Sequence, residues 1–576
     1  MQTKKAIGNL LNRYRAVLKK CHLLNTFGTL ALASAFILGG ASSAMSVPEW
    51  DNVSSLKSHI DINTDFEMTN CKFSGITLKN DEYGGGVFYV FEGHQINITN
   101  SSFTNNASDY EIDAKGTKGG ALYNKGSVIN LNDVEFTGNK VIVKAENAPA
   151  RGGAICADAA INNDVGVKEA ILNFNVTKDM TYSGNTIEGK DSSEWSGTWE
   201  AVAKNSGGFL FLDRNSTANF NVADGATLTI GTEDVTGHMD SIASSFAADE
   251  SSKVKSSTLV KKGGGTLTVN SQLNDFYGHV AVQEGTMNVT KDWDVKNDLS
   301  VSGGTLNLAN ASLVTIPETI SYAESDGTKK TMAEDKKPVG KLNISGGTVN
   351  ADSLTVGEKS SVDMTGGELN MKNSLTLNGA MTLSGGAAAT VAMPDKGGVS
   401  AGSGESLLAL GQPVTLGNSA KLHVGTVSGD ATVAFGSDSI LVVNGNVSSQ
   451  KAMINGSGNL SVDDGAKLYI TNAKASTKYI ITKGLNQDSY WGNAKFMANR
   501  LVKGTVTEEG DQVVVVTDAA EEEKSTAVQA VSKALPGVIP ATALATMVSQ
   551  NLNNTESDAM GVRFLSRAIE PLYMPD

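Results

Sequence analysis

"GGALYNKGSVINLNDVEFTGNK", residues 119–140, joins two small signatures. Gly119-Gly120 precedes apolar Ala121 and Leu122, and Phe136 stands three positions before Asn139. Both halves recur. The glycine pair returns as Gly85-Gly86-Val87-Phe88, Gly152-Gly153-Ala154-Ile155 and Gly207-Gly208-Phe209-Leu210. The aromatic half returns as Phe103-Thr-Asn-Asn106 and Tyr182-Ser-Gly-Asn185, and Phe73-Ser-Gly is a weaker copy without the Asn. Gly86 to Gly120 is 34 residues and Gly120 to Gly153 is 33; the next interval is 55 and carries the polar insertion "GKDSSEWSGTWEAVAKNS".

A second repeat begins near residue 262. It reads "GGTLTVN" (264–270), "EGTMNVT" (284–290), "GGTLNLA" (303–309), "GGTVNAD" (346–352) and "GGELNMK" (366–372), at spacings of 20, 19, 43 and 20. The long gap holds a charged loop, "ETISYAESDGTKKTMAEDKKP". Further rungs are expected at "ATVAFGSDSILVVNGNV" and "INGSGNLSVDDGAKLYIT". A fixed period with one glycine turn and alternating strands is the signature of a solenoid, whose units bury their apolar faces by stacking. Leu306 and Leu308 face one way and Thr305 and Asn307 the other, the period of two of a strand. Gly supplies positive φ at the corner, Asn tolerates the same conformation, and stacked Asn side chains can hydrogen-bond between coils. The ring three residues before the Asn points into the interior. At roughly twenty-two residues per coil, on the order of twenty coils make a rod about 100 Å long.

Composition narrows the function. The chain has 576 residues, 61 Gly, 10 Pro and a net charge of −14. Nucleic-acid binding needs a basic face and is disfavoured. Residues 1–44 read as an extended signal peptide: Lys4, Lys5, Arg13, Arg15, Lys19 and Lys20 precede an apolar segment, and Ser42 and Ala44 suit cleavage after Ala44. Removing those six basic residues takes −14 to about −20. Of the three cysteines, Cys71 and Cys156 remain. Several coils would separate them, beyond the roughly 4.4–6.8 Å that a disulfide allows between Cα atoms, so two thiols are expected. The rest divides into 45–260 with the glycine-pair and aromatic repeats, 261–472 with the shorter repeats, 473–518 with closing strands, and an Ala-rich helical linker at 519–576.

The glycine-pair and aromatic-x-x-Asn motifs resemble the repeats of the chlamydial polymorphic membrane proteins. "KKGGGTLTVNSQLNDFYGHVAVQEGTMNV" (261–289) is similar to the autotransporter-associated repeat, with Phe276-Tyr277-Gly278 and Gly285-Thr286-Met287 in its places. The resemblance implies a type V passenger folded as a right-handed parallel β-helix, which crosses the outer membrane through a C-terminal β-barrel. A barrel needs many alternating segments of about ten residues. Residues 519–576 supply none, so the translocator barrel is expected to be missing or supplied as a separate outer-membrane protein.

Chemistry-bearing patterns are weak. Gly398-Val-Ser400-Ala-Gly402 matches a nucleophile elbow without its strand-to-helix setting and reads as a glycine loop. His59, His94, His238, His279 and His423 show no metal-ligand spacing. Asp292 and Asp294 would share one side of a strand, and Asp463-Asp464 is a weaker pair; acidic turns are the commoner explanation. No calcium-binding nonapeptide or EF-hand loop occurs. No catalytic, cofactor or metal residues are assigned. The expectation is a non-enzymatic, adhesin-like rod at the cell surface or secreted by a Gram-negative bacterium, periplasmic if no barrel serves it. Its partners would be host-cell or matrix components, met through insertions at about 186–206, 236–258 and 315–340. The alternatives are a β-helical polysaccharide lyase or hydrolase and a truncated passenger without independent function.

Overall fold

The computed structural model describes residues 45–518, apart from 49, 51, 80–84, 111–116, 144–149, 163–165, 190–199, 202–204, 248–254, 316–320, 324–328, 332–336, 394–395, 428 and 497–501. The expected signal peptide and helical linker lie outside the described residues.

The second glycine of each pair explains why the repeat needs glycine twice. The first takes positive φ: 97° at Gly85, 62° at Gly119, 66° at Gly152 and 78° at Gly207. The second abuts its counterpart one coil on. A Cβ on Gly86 would lie 2.0 Å from the Gly120 carbonyl oxygen, one on Gly120 2.2 Å from that of Gly153, and one on Gly153 2.2 Å from that of Gly208. The pair is thus a corner residue followed by a backbone-to-backbone contact that leaves no room for a side chain.

The aromatic half fills the interior. Phe73, Phe103 and Phe136 stack at 5.2 and 5.3 Å with nearly parallel rings, and Tyr182 meets Phe136 edge-on at 5.6 Å. All four are under 2% exposed. The motif Asn does not take the left-handed conformation that the sequence suggested. The residue before it does, Asn105 at 55°, Gly138 at 65° and Gly184 at 72°, and so does Gly75 at 71° in the copy that has Ile76 in place of the Asn. Asn106, Asn139 and Asn185 instead form a buried ladder. Asn106 Nδ2 donates to Asn139 Oδ1 at 3.0 Å, and Asn139 Nδ2 to Asn185 Oδ1 at 3.1 Å. Asn185 Nδ2 donates to Asp240 Oδ1 at 2.9 Å, which ends the run.

These units build a parallel β-helix. One sheet of 16 strands runs from Met45–Pro48 to Asn486–Gln487, each strand paired in parallel with the next coil. A second sheet, of 18 strands, begins at Met180–Tyr182. The wide N-terminal coils add a six-stranded sheet from Ile60–Ile62 to Ile242–Ser244 and a four-stranded sheet from Thr77–Lys79 to Thr186–Gly189. Beyond these, coils shorten to about twenty residues. There a single long strand supplies two faces: in Thr305–Leu313 the alternation breaks at Ala309 and Asn310 and resumes at Ala311. Sixteen strands at about 4.8 Å per step make the described rod about 70 Å long, shorter than the sequence estimate. The difference arises because the wide coils consume 34, 33 and 55 residues rather than about twenty-two.

The C-terminal end reverses direction. Gly504–Glu509 and Gln512–Thr517 form an antiparallel hairpin, and the second strand docks antiparallel on Lys478–Lys483. Such a hairpin covers a sheet edge that would otherwise offer unpaired backbone groups. Cys71 and Cys156 are both buried and form no disulfide, as the coil separation requires.

Candidate functional site

The three insertions anticipated from the sequence meet on one flank. Glu200–Ala201, from the first, pairs antiparallel with Phe246–Ala247 of the second. Ser321–Ala323, from the third, lies beside Glu200–Ala201 and is itself paired with Lys329–Thr331 as a hairpin. Segments separated by dozens of residues thus form one patch because coils stack at about 4.8 Å.

The polar faces carry a second feature. On the 16-stranded sheet, outward Asn97, Asn130, Asn173 and Asn219 share a register column. Asn130 Nδ2 donates to Asn97 Oδ1 at 2.7 Å, Asn173 Nδ2 to Asn130 Oδ1 at 2.8 Å, and Asn219 Nδ2 to Asn173 Oδ1 at 2.8 Å. A parallel column holds Thr99, Asn132, Asn175 and Asn221, linked at 2.8–3.1 Å. The other long sheet repeats the device through Thr268, Asn288, Asn307, Asn350 and Asn370. The signal was present in the sequence as N-x-N and T-x-N at equal positions of successive repeats.

The residues singled out for chemistry are dispersed. Ser400 is exposed on the loop between Ala388–Val391 and Ser406–Leu410. Its neighbours Val399 and Ala401 pack over Leu407, Ala409, Ile440 and Val442, so this loop covers an apolar patch on the outside of the sheet. Asp292 and Asp294 do flank buried Trp293 on one side, both exposed, with Asp292 Oδ1 accepting from Asn310 Nδ2 at 2.9 Å. Asp463 belongs to a turn, its carbonyl accepting from the Ala466 amide at 3.2 Å. Four histidines lie near aspartates: His59–Asp61 at 3.0 Å, His94–Asp65 at 3.9 Å, His238–Asp275 at 3.3 Å and His279–Asp298 at 3.6 Å. His423 Nε2 lies 2.8 Å from the Ala431 carbonyl oxygen. Sequence reasoning missed the last three aspartate pairings because coil register brings those partners together. Among the described residues no group of three or more His, Cys, Asp or Glu is arranged to hold a metal ion.

One buried polar cluster was not foreseen. Lys118 Nζ reaches Asp158 Oδ2 at 2.8 Å and the Tyr123 hydroxyl at 3.2 Å, and that hydroxyl donates to Asp158 Oδ2 at 3.0 Å. Burial opposes the charge on Lys118, but Tyr123 and Asp158 outweigh it and hold the ammonium above its ordinary value. Burial likewise pushes the Tyr123 hydroxyl well up, against the pull of Lys118, so it stays protonated and serves as a donor. The cluster ties three residues of two adjacent coils together.

No family model matches the chain. Over 267 residues it is 26% identical to the probable autotransporter YfaL of Escherichia coli strain K12, covering 41% of this chain and 20% of that protein. The chain thus spans about a fifth of the length of the curated relative it matches. The fold adds to this similarity an uninterrupted parallel stack with polar outer faces and insertions gathered on a flank. Among the described residues no helix is long and apolar enough to cross a membrane.

Proposed function

We propose that this chain is the passenger part of an autotransporter-type secreted protein: a non-enzymatic, adhesin-like rod displayed at the surface of a Gram-negative bacterium, contacting host or neighbouring cells. The observation that carries the reading is the continuous 16-stranded parallel stack combined with similarity to a probable autotransporter. Each coil contacts its neighbours, so a chain delivered end first can fold coil by coil without waiting for distant segments. The flank where 200–201, 246–247 and 321–323 meet is the proposed contact surface, since loops on a rigid scaffold commonly carry binding. A barrel in trans or in a longer product would complete export. The test is expression with an outer-membrane barrel partner, followed by protease shaving of intact cells and a cell-adhesion assay. Release of rod fragments and loss of adhesion on deleting 45–518 support the reading; adhesion unchanged by that deletion refutes it.

A further inference from the structure

A groove runs along the corner where the 16-stranded sheet meets the six-stranded sheet, with a volume of about 500 Å³. Its floor is made of Gln95, Val128 and Ile171, which are register partners in three successive coils. One wall is an inserted hairpin, Ala160–Asn162 against Gly166–Lys168. The hairpin is seated firmly: a Cβ on Gly126 would lie 2.9 Å from the Lys168 carbonyl oxygen and 3.0 Å from the Ala160 Cβ. Ser127 stitches the floor together, accepting from the His94 amide at 2.9 Å and, through its carbonyl, from the Ile171 amide at 2.9 Å. The charges at the rim are mixed: Asp65 and Glu169 against Lys168, with His94 near Asp65.

Two positions along each strand from this floor lies the asparagine column Asn97, Asn130, Asn173 and Asn219. Asn130, Asn173 and Asn219 each use one Nδ2 hydrogen along the ladder, and Asn97 Nδ2 uses one on Glu67 Oε1 at 3.3 Å. An amide nitrogen has two, so each retains one donor, and each carbonyl retains acceptor capacity toward the outside. Groove and column therefore offer one uncharged donor–acceptor pair per coil, repeated at about 4.8 Å along the rod, with apolar contact from Val128 and Ile171 on two successive coils and the Gln95 amide on the third.

The geometry points to a binding site for a neutral, linear glycan lying along the rod axis. A polyanion is disfavoured by a chain of net charge −14 and a rim with two carboxylates. A protein partner is disfavoured because interface anchors are commonly large aromatic side chains, and the exposed large hydrophobics among the described residues, Met239, Tyr490 and Val516, lie on none of these strands. A sugar ring needs an apolar patch for its C–H face and amides for its hydroxyls, and successive rings would meet successive coils. Affinity then comes from repetition along the axis. The inference rests on the surface-rod reading and names the partner class of that rod.

The test is titration of the full chain with neutral linear oligosaccharides of hexose and of N-acetylhexosamine, with heparin and an uncharged peptide as comparison probes. Binding should lengthen with the oligosaccharide and be insensitive to salt. Asn130→Leu with Asn173→Leu should weaken it by about tenfold or more. Asn307→Leu with Asn350→Leu, which break the equivalent ladder on the other sheet, should leave it unchanged. Because these two pairs carry the same structural cost, a folding defect would show in both. Val128→Asp, at the groove floor, should also weaken it. Equal effects of the two asparagine pairs, preference for heparin or peptide, or no oligosaccharide binding overturns the inference. Adhesion of displayed rods without oligosaccharide binding would remove the glycan and leave the surface rod standing; oligosaccharide binding by a chain that never reaches the surface would do the reverse.

Discussion

Asn139→Ala tests what the aromatic-x-x-Asn motif does. The Asn139 carboxamide is fully buried. Its Oδ1 accepts from the Asn106 backbone amide at 3.2 Å and from Asn106 Nδ2 at 3.0 Å, while its Nδ2 donates to the Phe103 carbonyl at 2.8 Å and to Asn185 Oδ1 at 3.1 Å. Truncation leaves Asn185 Oδ1 with the Asn139 backbone amide, still 3.1 Å away. It strips a partner from the Asn106 amide, from one Asn106 Nδ2 hydrogen and from the Phe103 carbonyl. A buried group left unsatisfied costs about 1–3 kcal/mol. Three such groups, partly relieved by relaxation around the small void, give a loss of about 4 kcal/mol. The outer-face Asn130→Ala removes a ladder amide that makes two hydrogen bonds, to Asn97 and from Asn173; its neighbours reach water, and the loss should be about 0.5–1 kcal/mol.

Native-state hydrogen exchange reads this coil by coil, which suits a stack whose coils open locally. The Asn106 amide, which donates to Asn139 Oδ1, should lose protection in Asn139→Ala, while the Asn185 amide, held by Asp240 Oδ1 at 2.8 Å, and amides on the narrow coils beyond residue 300 keep theirs. If Asn139→Ala costs no more than Asn130→Ala, the buried ladder is not what the motif supplies, and the Asn would have to be explained by backbone conformation alone.

Gly120→Ala places a Cβ 2.2 Å from the Gly153 oxygen and 2.4 Å from the Lys140 oxygen, so coils must separate; chemical unfolding should show a loss above about 3 kcal/mol. Gly93→Ala, at φ 86° with nothing within 4 Å, should cost only the left-handed strain of about 1–2 kcal/mol. Lys261 projects inward, fully buried, with Nζ on the carbonyls of Lys262, Gly263 and Glu284 at 2.8, 2.6 and 3.2 Å. Burial pushes its pKa down to about 8, so the unfolded chain holds the proton where the fold releases it, and stability should rise by on the order of 1 kcal/mol as pH climbs from about 8 towards 10. Lys261→Met should abolish that rise in urea midpoints measured across the range. Cys71 and Cys156, both 0% exposed, should resist thiol reagents in the native protein and react after denaturation; reaction of Cys156 at native rates would contradict its burial, which also raises its thiol pKa.

The architecture was legible because a stack writes its period into the sequence. The recurrence of Gly86, Gly120 and Gly153 at 34 and 33 residues reported the coil directly, and Leu306 and Leu308 reported the inward face. The left-handed residue was misplaced by one, from Asn106, Asn139 and Asn185 to the positions before them. Both places favour Asn or Gly, and composition alone cannot separate a residue that turns the chain from one that bridges coils. The rod length was overestimated because a single period was applied to coils of two sizes. The pairing of 200–201 with 246–247 and the approach of 321–323 were not legible at all: they depend on which corner each insertion leaves from, and no local pattern encodes that.

The 55-residue interval shows why function can be placed in those insertions without disturbing the rod. Gly153 still donates to the Gly207 carbonyl at 2.8 Å, Ile155 still faces Leu210, and Asn173 still faces Asn219, as though the intervening segment were absent. Loop-closure entropy grows slowly, about 0.6 kcal/mol for each doubling of loop length. A corner can therefore accept a long insertion at small cost, provided the next glycine pair re-enters in register. That condition falls on Gly207-Gly208, where a Cβ on Gly208 would lie 2.0 Å from the His238 carbonyl oxygen. The glycine pair is thus both the corner of the coil and the point at which register is recovered after each excursion. A scaffold with such a recovery point can vary its loops, and hence its partners, while its core columns stay aligned.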